Sequence, residues 1–291
     1  MRLSLTKLVA AVVLSMICFA GVAQAQTPTM TKSERADMRR FAYNNSLFVL
    51  YHEVAHLLFD QLEMPVLGRE EDAADNVATW ILLNKRTKAA EVALADAAQG
   101  WLYSGVAYDS GGDEGDFAAS HSLDKQRAYQ IVCLMVGSDD SAFRPIANKY
   151  SMDRDRQETC FWDYDLVDRS LKSLLGVRNP PAIRGTEVKV TYHDAGGRLK
   201  AAADAFKSSG VFDQVAEEVR TQYTLDAKVA FNAQRCGEAN AFYDPDTIEV
   251  IFCYELMQDY MDLYMDNMSK PAAPAPRETG PGPGKNKISK F

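Results

Sequence analysis

The 291-residue sequence predicts a mainly helical α+β fold. Three observations carry this. Apolar residues recur at helical spacing through most of residues 39–175. Asn179-Pro180-Pro181 then breaks the pattern. Beyond that break, short alternating segments of strand character are interleaved with helical ones.

In chain order, residues 26–35 read as a polar, flexible lead-in. A helix is expected from Arg39 to Leu62, with Phe41, Leu47, Leu50, Val54, Leu57 and Leu58 on its apolar side. Met64-Pro65 to Gly68 ends it. A second helix follows over Arg69–Leu83, its first turn acidic, where the helix dipole favours negative charge. An alanine-rich third helix covers Ala89–Val106, and residues 109–115 (DSGGDEG) form an acidic, glycine-rich loop. Further helices are expected over Asp124–Val136 and Arg156–Leu175. After the break, Glu187–Tyr192 alternates like a strand, and Leu199–Tyr223 is helical. Lys228–Phe231 and Ile248–Phe252 are strands, and Tyr254–Met268 is a last helix. Pro180 marks a seam, although the two parts could equally share one domain over residues 26–269. Residues 270–291, rich in Pro, Gly and Lys, read as a disordered tail.

The N-terminus has the layout of a secretory signal peptide over residues 1–25. Arg2 and Lys7 flank the start, Leu8 to Val22 is apolar, and Ala23-Gln24-Ala25 offers small residues for cleavage. The apolar run is shorter than the ~20 residues needed to span a bilayer. Cys18 belongs to this segment. The chain's net charge is −8, and losing residues 1–25 makes it more acidic still. That balance disfavours nucleic acid and anionic membranes as partners. Four cysteines remain: Cys133, Cys160, Cys236 and Cys253. In an exported chain an even number reads as disulfides. Of the three possible pairings, proximity in sequence favours Cys133–Cys160 and Cys236–Cys253. A secreted or periplasmic location follows from both features.

The chemistry concentrates at His52-Glu53-Val54-Ala55-His56. Four residues of helix turn about 400°, so both imidazoles leave one face, one turn apart. That spacing suits one Zn2+ ion. Glu53 would stand beside the water that the metal activates and accept its proton. Only four histidines occur in the chain, and two fall here. A third protein ligand is needed, since catalytic zinc takes three and keeps one position open. Leu62 and Phe59 occupy the positions where a metzincin needs histidine and glycine, which excludes that class. Glu71 on the next helix, with Asp75 four residues later, is the expected ligand; Glu70 is the alternative. Asp75 would fix the tautomer of a ligand imidazole. Glu70 and Asp72 are otherwise explained by the helix dipole.

HEVAH at 52–56 with Glu71 and Asp75 resembles the gluzincin peptidases, the thermolysin and neprilysin group. The segments YHEVAH, PVLGREEDAADN, HSLDKQR and CGEANAFYDPDTIEVIFCYE, within residues 51–255, resemble a bacterial family of metallopeptidases defined by a domain of unknown function. The resemblance implies a zincin-like helix pair, a smaller C-terminal α+β section with a hairpin, and peptide or protein substrates. Asn240-Ala241-Phe242-Tyr243 is similar to the neprilysin motif on the substrate-binding edge strand, which implies substrate contacts for Asn240, Ala241 and Tyr243. In neprilysin-like enzymes that motif precedes the HExxH helix; here it follows. A plain hairpin, turned at Asp244-Pro245-Asp246 and stapled by Cys236–Cys253, explains the same residues.

Peptide hydrolysis also needs a donor to the oxyanion. By resemblance to the thermolysin mechanism this falls to His121, with Arg127 and Tyr243 as other candidates. Ser120 or Ser122 capping the following helix, with His121 merely on the surface, is the competing reading. His193 ends a strand and is expected to be structural or exposed. The alternative to a metallopeptidase is an exported, zinc-stabilised binding protein without catalysis.

Overall fold

A computed structural model describes residues 30–178 and 185–268. The signal-peptide reading, the seam at Pro180 and the C-terminal tail lie outside the described residues.

Ten helices and four strands make up this part. Helix α1 (Lys32–Gln61) starts earlier than expected. Thr31 Oγ1 accepts the Glu34 amide while the Glu34 carboxylate accepts the Thr31 amide, so a capping box fixes the start inside the supposed lead-in. From Phe41 to Phe59 almost every residue of α1 is buried. A helix enclosed on all sides needs neighbours all round, and α1 has them. α2 (Glu70–Asn84), α3 (Lys88–Ala107), α9 (Val211–Gln222) and α10 (Tyr254–Met268) pack around it, together with the edge of the sheet.

The α1–α2 turn passes through Glu63 and Gly68, both with positive φ. It returns α2 along α1, so the acidic first turn of α2 meets the last turns of α1. A short α4 (Glu114–Ala118) interrupts the glycine-rich loop before α5 (Asp124–Ser138). α6 (Asp140–Lys149) was not legible in the sequence, because Pro145 sits inside it. α7 (Arg154–Arg178) lies against α5, and the Cys133–Cys160 disulfide joins the two.

That crossing requires a glycine. A Cβ on Gly137 would stand 2.2 Å from the Cys160 carbonyl oxygen and 2.7 Å from Tyr164 Cβ. Gly137→Ala is therefore expected to cost about 2–3 kcal/mol. A denaturation midpoint equal to the parent's would contradict this.

The sheet has the order β1-β2-β4-β3. β1 (Val188–Tyr192), β2 (Val229–Gln234) and β4 (Glu249–Cys253) run parallel, and β3 (Ala241–Asp244) pairs antiparallel with β4. The hairpin is thus present, and Cys236–Cys253 closes it. The single helix expected over 199–223 is two, α8 (Gly196–Ser209) and α9, because Gly210 adopts φ 72° between them. Phe206 of α8 stacks on Phe252 of β4 with ring centroids 3.9 Å apart. Apolar side chains from the helices and the sheet form one continuous core. β3 lies at the sheet's edge and contacts α1, which brings it beside the HEVAH turn.

Candidate metal centre

The histidine pair sits at the end of α1 that is buried under α2. His52 is 4% exposed, and Glu53 is buried as well. His52 Nε2 and His56 Nε2 face each other at 3.1 Å. Glu71 Oε2 stands 3.0 Å from the first and 3.4 Å from the second. These three atoms form a small triangle. Zinc with bonds of about 2.0–2.1 Å in tetrahedral geometry separates its ligand atoms by about 3.3 Å. The triangle therefore has the dimensions of one face of such a site.

The other ring nitrogens explain why lone pairs converge there. His52 Nδ1 is 2.8 Å from Asp75 Oδ1, and His56 Nδ1 is 2.8 Å from Glu70 Oε1. With each Nδ1–H donated to a carboxylate, the neutral rings present bare Nε2 atoms to one another. Two nitrogen lone pairs and a carboxylate oxygen at such distances repel unless a cation lies among them. The electrostatics agree. Burial acts to lower the His52 pKa, yet hydrogen bonds to Asp75 and Glu71 raise it to about 9. Burial acts to raise Glu71, but the hydrogen bonds of His121, His52 and His56 hold it far below the ordinary carboxylate range. Without a metal, the cluster demands protons in its place. The donor set fits a divalent metal of the zinc type.

Asp75 is held from behind. Its carboxylate accepts two hydrogen bonds from Arg127, Nε at 2.7 Å and Nη2 at 2.8 Å, and both residues are buried. The guanidinium also stacks 3.5 Å over the Trp101 ring. Burial would raise the Asp75 pKa, but the Arg127 charge keeps it well below the usual range. Arg127 is therefore committed to Asp75, which leaves it badly placed as the oxyanion donor considered from the sequence. Arg127→Met strands a buried carboxylate and is expected to cost about 3–5 kcal/mol. It should also weaken metal binding about 10–100-fold, because the Asp75 carboxylate that orients His52 loses its support. Chelator competition reads the affinity, and an unchanged constant would refute the link.

His121 comes in on the loop before α5, half exposed, with Nε2 2.9 Å from Glu71 Oε2. Its Nδ1 is 3.3 Å from Ser120 Oγ, and its carbonyl accepts from Arg69 Nη1. Neither Ser120 nor Ser122 caps α5; Leu123 occupies the N-cap, and Gln126 Oε1 takes the Leu123 amide. His121 thus stands beside the His52–His56–Glu71 group but outside it.

Glu53 lines the same cavity. Burial raises its pKa, opposed by the two imidazoles and by the backbone N–H of Tyr243. Asn240, Ala241 and Tyr243 form part of the cavity wall, so β3 runs along the cleft although it follows the HEVAH helix in sequence. The Tyr243 hydroxyl donates to Asp60 Oδ2 at 2.5 Å. His193 is remote from this site, at the end of β1, with Nε2 3.1 Å from Asn232 Oδ1. Sequence reasoning assigned Glu70 to the helix dipole, whereas the structure gives it His56. An E-E pair opening a helix that faces two histidines was the available signal.

The cavity measures about 1220 Å³, and His52, His56, Glu71 and Glu53 are on its wall. Among the described residues, no helix is long and apolar enough to cross a membrane. The two disulfides fit an oxidising compartment. No curated protein and no solved structure matches this sequence. The model of the family DUF4344, whose description reads "Putative metallopeptidase", matches residues 11–175 and 192–279, and the chain belongs to that family.

Proposed function

We propose that this protein is a zinc-dependent peptidase of the gluzincin type, acting outside the cytoplasm on peptide or protein substrates. One observation carries the reading. The His52, His56 and Glu71 donor atoms, 3.0–3.4 Å apart, border an open cavity that also receives Glu53.

Zinc at this position would act as a Lewis acid and lower the pKa of water toward ~7. His52, His56 and Glu71 hold it, and Asp75 and Glu70 keep both imidazoles oriented through Nδ1. Glu53 takes a proton from the attacking water at its carboxylate and later gives it to the leaving amine nitrogen. His121 reaches the same space from its loop and donates an N–H to the oxyanion as the carbonyl becomes tetrahedral. The β3 edge offers backbone groups to an extended peptide, and Asn240, Ala241 and Tyr243 would lie along it. Glu53 has no task in a purely structural metal site, which favours an enzyme over a metal-stabilised binding protein.

The test is digestion of a broad peptide library by the purified chain, with and without a chelator. Cleavage that stops with chelator and returns with added zinc is expected. Stoichiometric zinc without any cleavage would instead favour the binding-protein reading.

A further inference from the structure

The cleft does not end at the metal. Its wall also runs between α3, α5 and α10, with Trp101, Ser104, Asp124, Asp259 and Tyr260 on it. We infer that this part of the cleft is a subsite for a cationic substrate side chain, lysine or arginine. This rests on the peptidase reading only in taking the occupant to be part of a peptide.

The charges on the wall point that way. Asp124 and Asp259 both face the cavity. Asp124 Oδ2 accepts from Ser104 Oγ at 2.7 Å, and Asp259 Oδ1 accepts from the Tyr108 hydroxyl. Both partners are neutral and leave the charges in place. Among the described residues the basic side chains lining the cavity are Arg69 and Arg127, apart from the histidines. Arg69 is at the other end, beside the His121 carbonyl. Arg127 gives its two strongest donors to Asp75, so that pair adds no net charge. This wall is left with two carboxylates and, among its described lining residues, no cation that is not already paired. Burial raises the Asp259 pKa, the Tyr108 hydrogen bond lowers it, and the Asp262 charge raises it further.

A second, separate feature is Tyr260. It is 8% exposed, it lines the cavity, and its hydroxyl has no hydrogen-bond partner among the described residues. Tyr260 shares the cavity wall with Asp124 and Asp259. The hydroxyl therefore faces the cavity, where water or a ligand group can satisfy it. An ammonium or guanidinium group supplies donors of the kind that the Tyr260 oxygen and the carboxylates of this wall accept. The Tyr108 ring, also on this wall, suits the aliphatic stem and the charge of such a side chain.

The experiment uses capped peptides that differ at one position: lysine, norleucine or glutamate. The zinc-loaded chain is expected to cleave the lysine peptide at least about tenfold better than the norleucine peptide, and the glutamate peptide least. Asp259→Asn and, independently, Asp124→Asn should each reduce the lysine-to-norleucine ratio severalfold. The ratio, unlike absolute rate, does not move with partial unfolding. Equal or better cleavage of norleucine by the parent chain would overturn the subsite, as would an unchanged ratio in both variants. Binding of the same peptides to Glu53→Gln separates the two readings. Lysine discrimination in binding, without cleavage by the parent, sinks the peptidase and keeps the subsite. Cleavage without discrimination sinks the subsite alone.

Discussion

Glu53→Gln is expected to reduce kcat/KM for any cleaved peptide by about 10³-fold or more, while the metal content stays that of the parent. Glutamine has the same shape and fills the same buried space at 6% exposure. It can still accept the Tyr243 N–H. What it lacks is a site for the proton, and proton transfer is the task the account gives this residue. Glu53 is not among the three converging donors, so losing its charge removes no ligand. Steady-state hydrolysis alongside metal analysis of the same sample checks both halves. A variant that keeps a tenth of the parent activity would remove Glu53 from the chemistry.

Glu71→Ala should have an effect of similar size by another route. Its Oε2 is one corner of the metal triangle, and it also meets His121 at 2.9 Å. Without it two imidazoles remain, too few for a catalytic zinc site. Zinc affinity should fall by more than the roughly 100-fold that losing a supporting hydrogen bond costs. Hydrolysis should disappear with the metal. Equilibrium dialysis with zinc reads the constant directly. Parent-like affinity would mean that Glu70 or His121 supplies the third ligand instead.

Much of this site is visible in the sequence because it is local. HEVAH lies on one helix, and its four-residue period alone sets two imidazoles side by side. Glu71 and Asp75 come within reach because Pro65 and Gly68 reverse the chain after a single turn. The expected disulfide pairing is likewise that of nearest neighbours, as the structure has it. What stayed hidden depends on long-range packing. Arg127 reads as a free cation until α5 lands against α2 and pairs it with Asp75. Glu70 looks like any acidic residue at a helix start until the turn brings it to His56. The relation of β3 to the cleft contradicts chain order, since only the topology of the sheet carries residues 241–244 back to α1. Among the helices, α6 was masked by Pro145, and the break at Gly210 lay within a continuous apolar pattern.

The central claim is that one zinc ion sits among His52, His56 and Glu71. The most direct measurement is the metal-to-protein ratio of the purified chain after exhaustive dialysis against metal-free buffer. One zinc per chain is expected, falling to near zero in His56→Ala under the same dialysis. A parent chain that retains no zinc, or a His56→Ala variant that retains it fully, would contradict it.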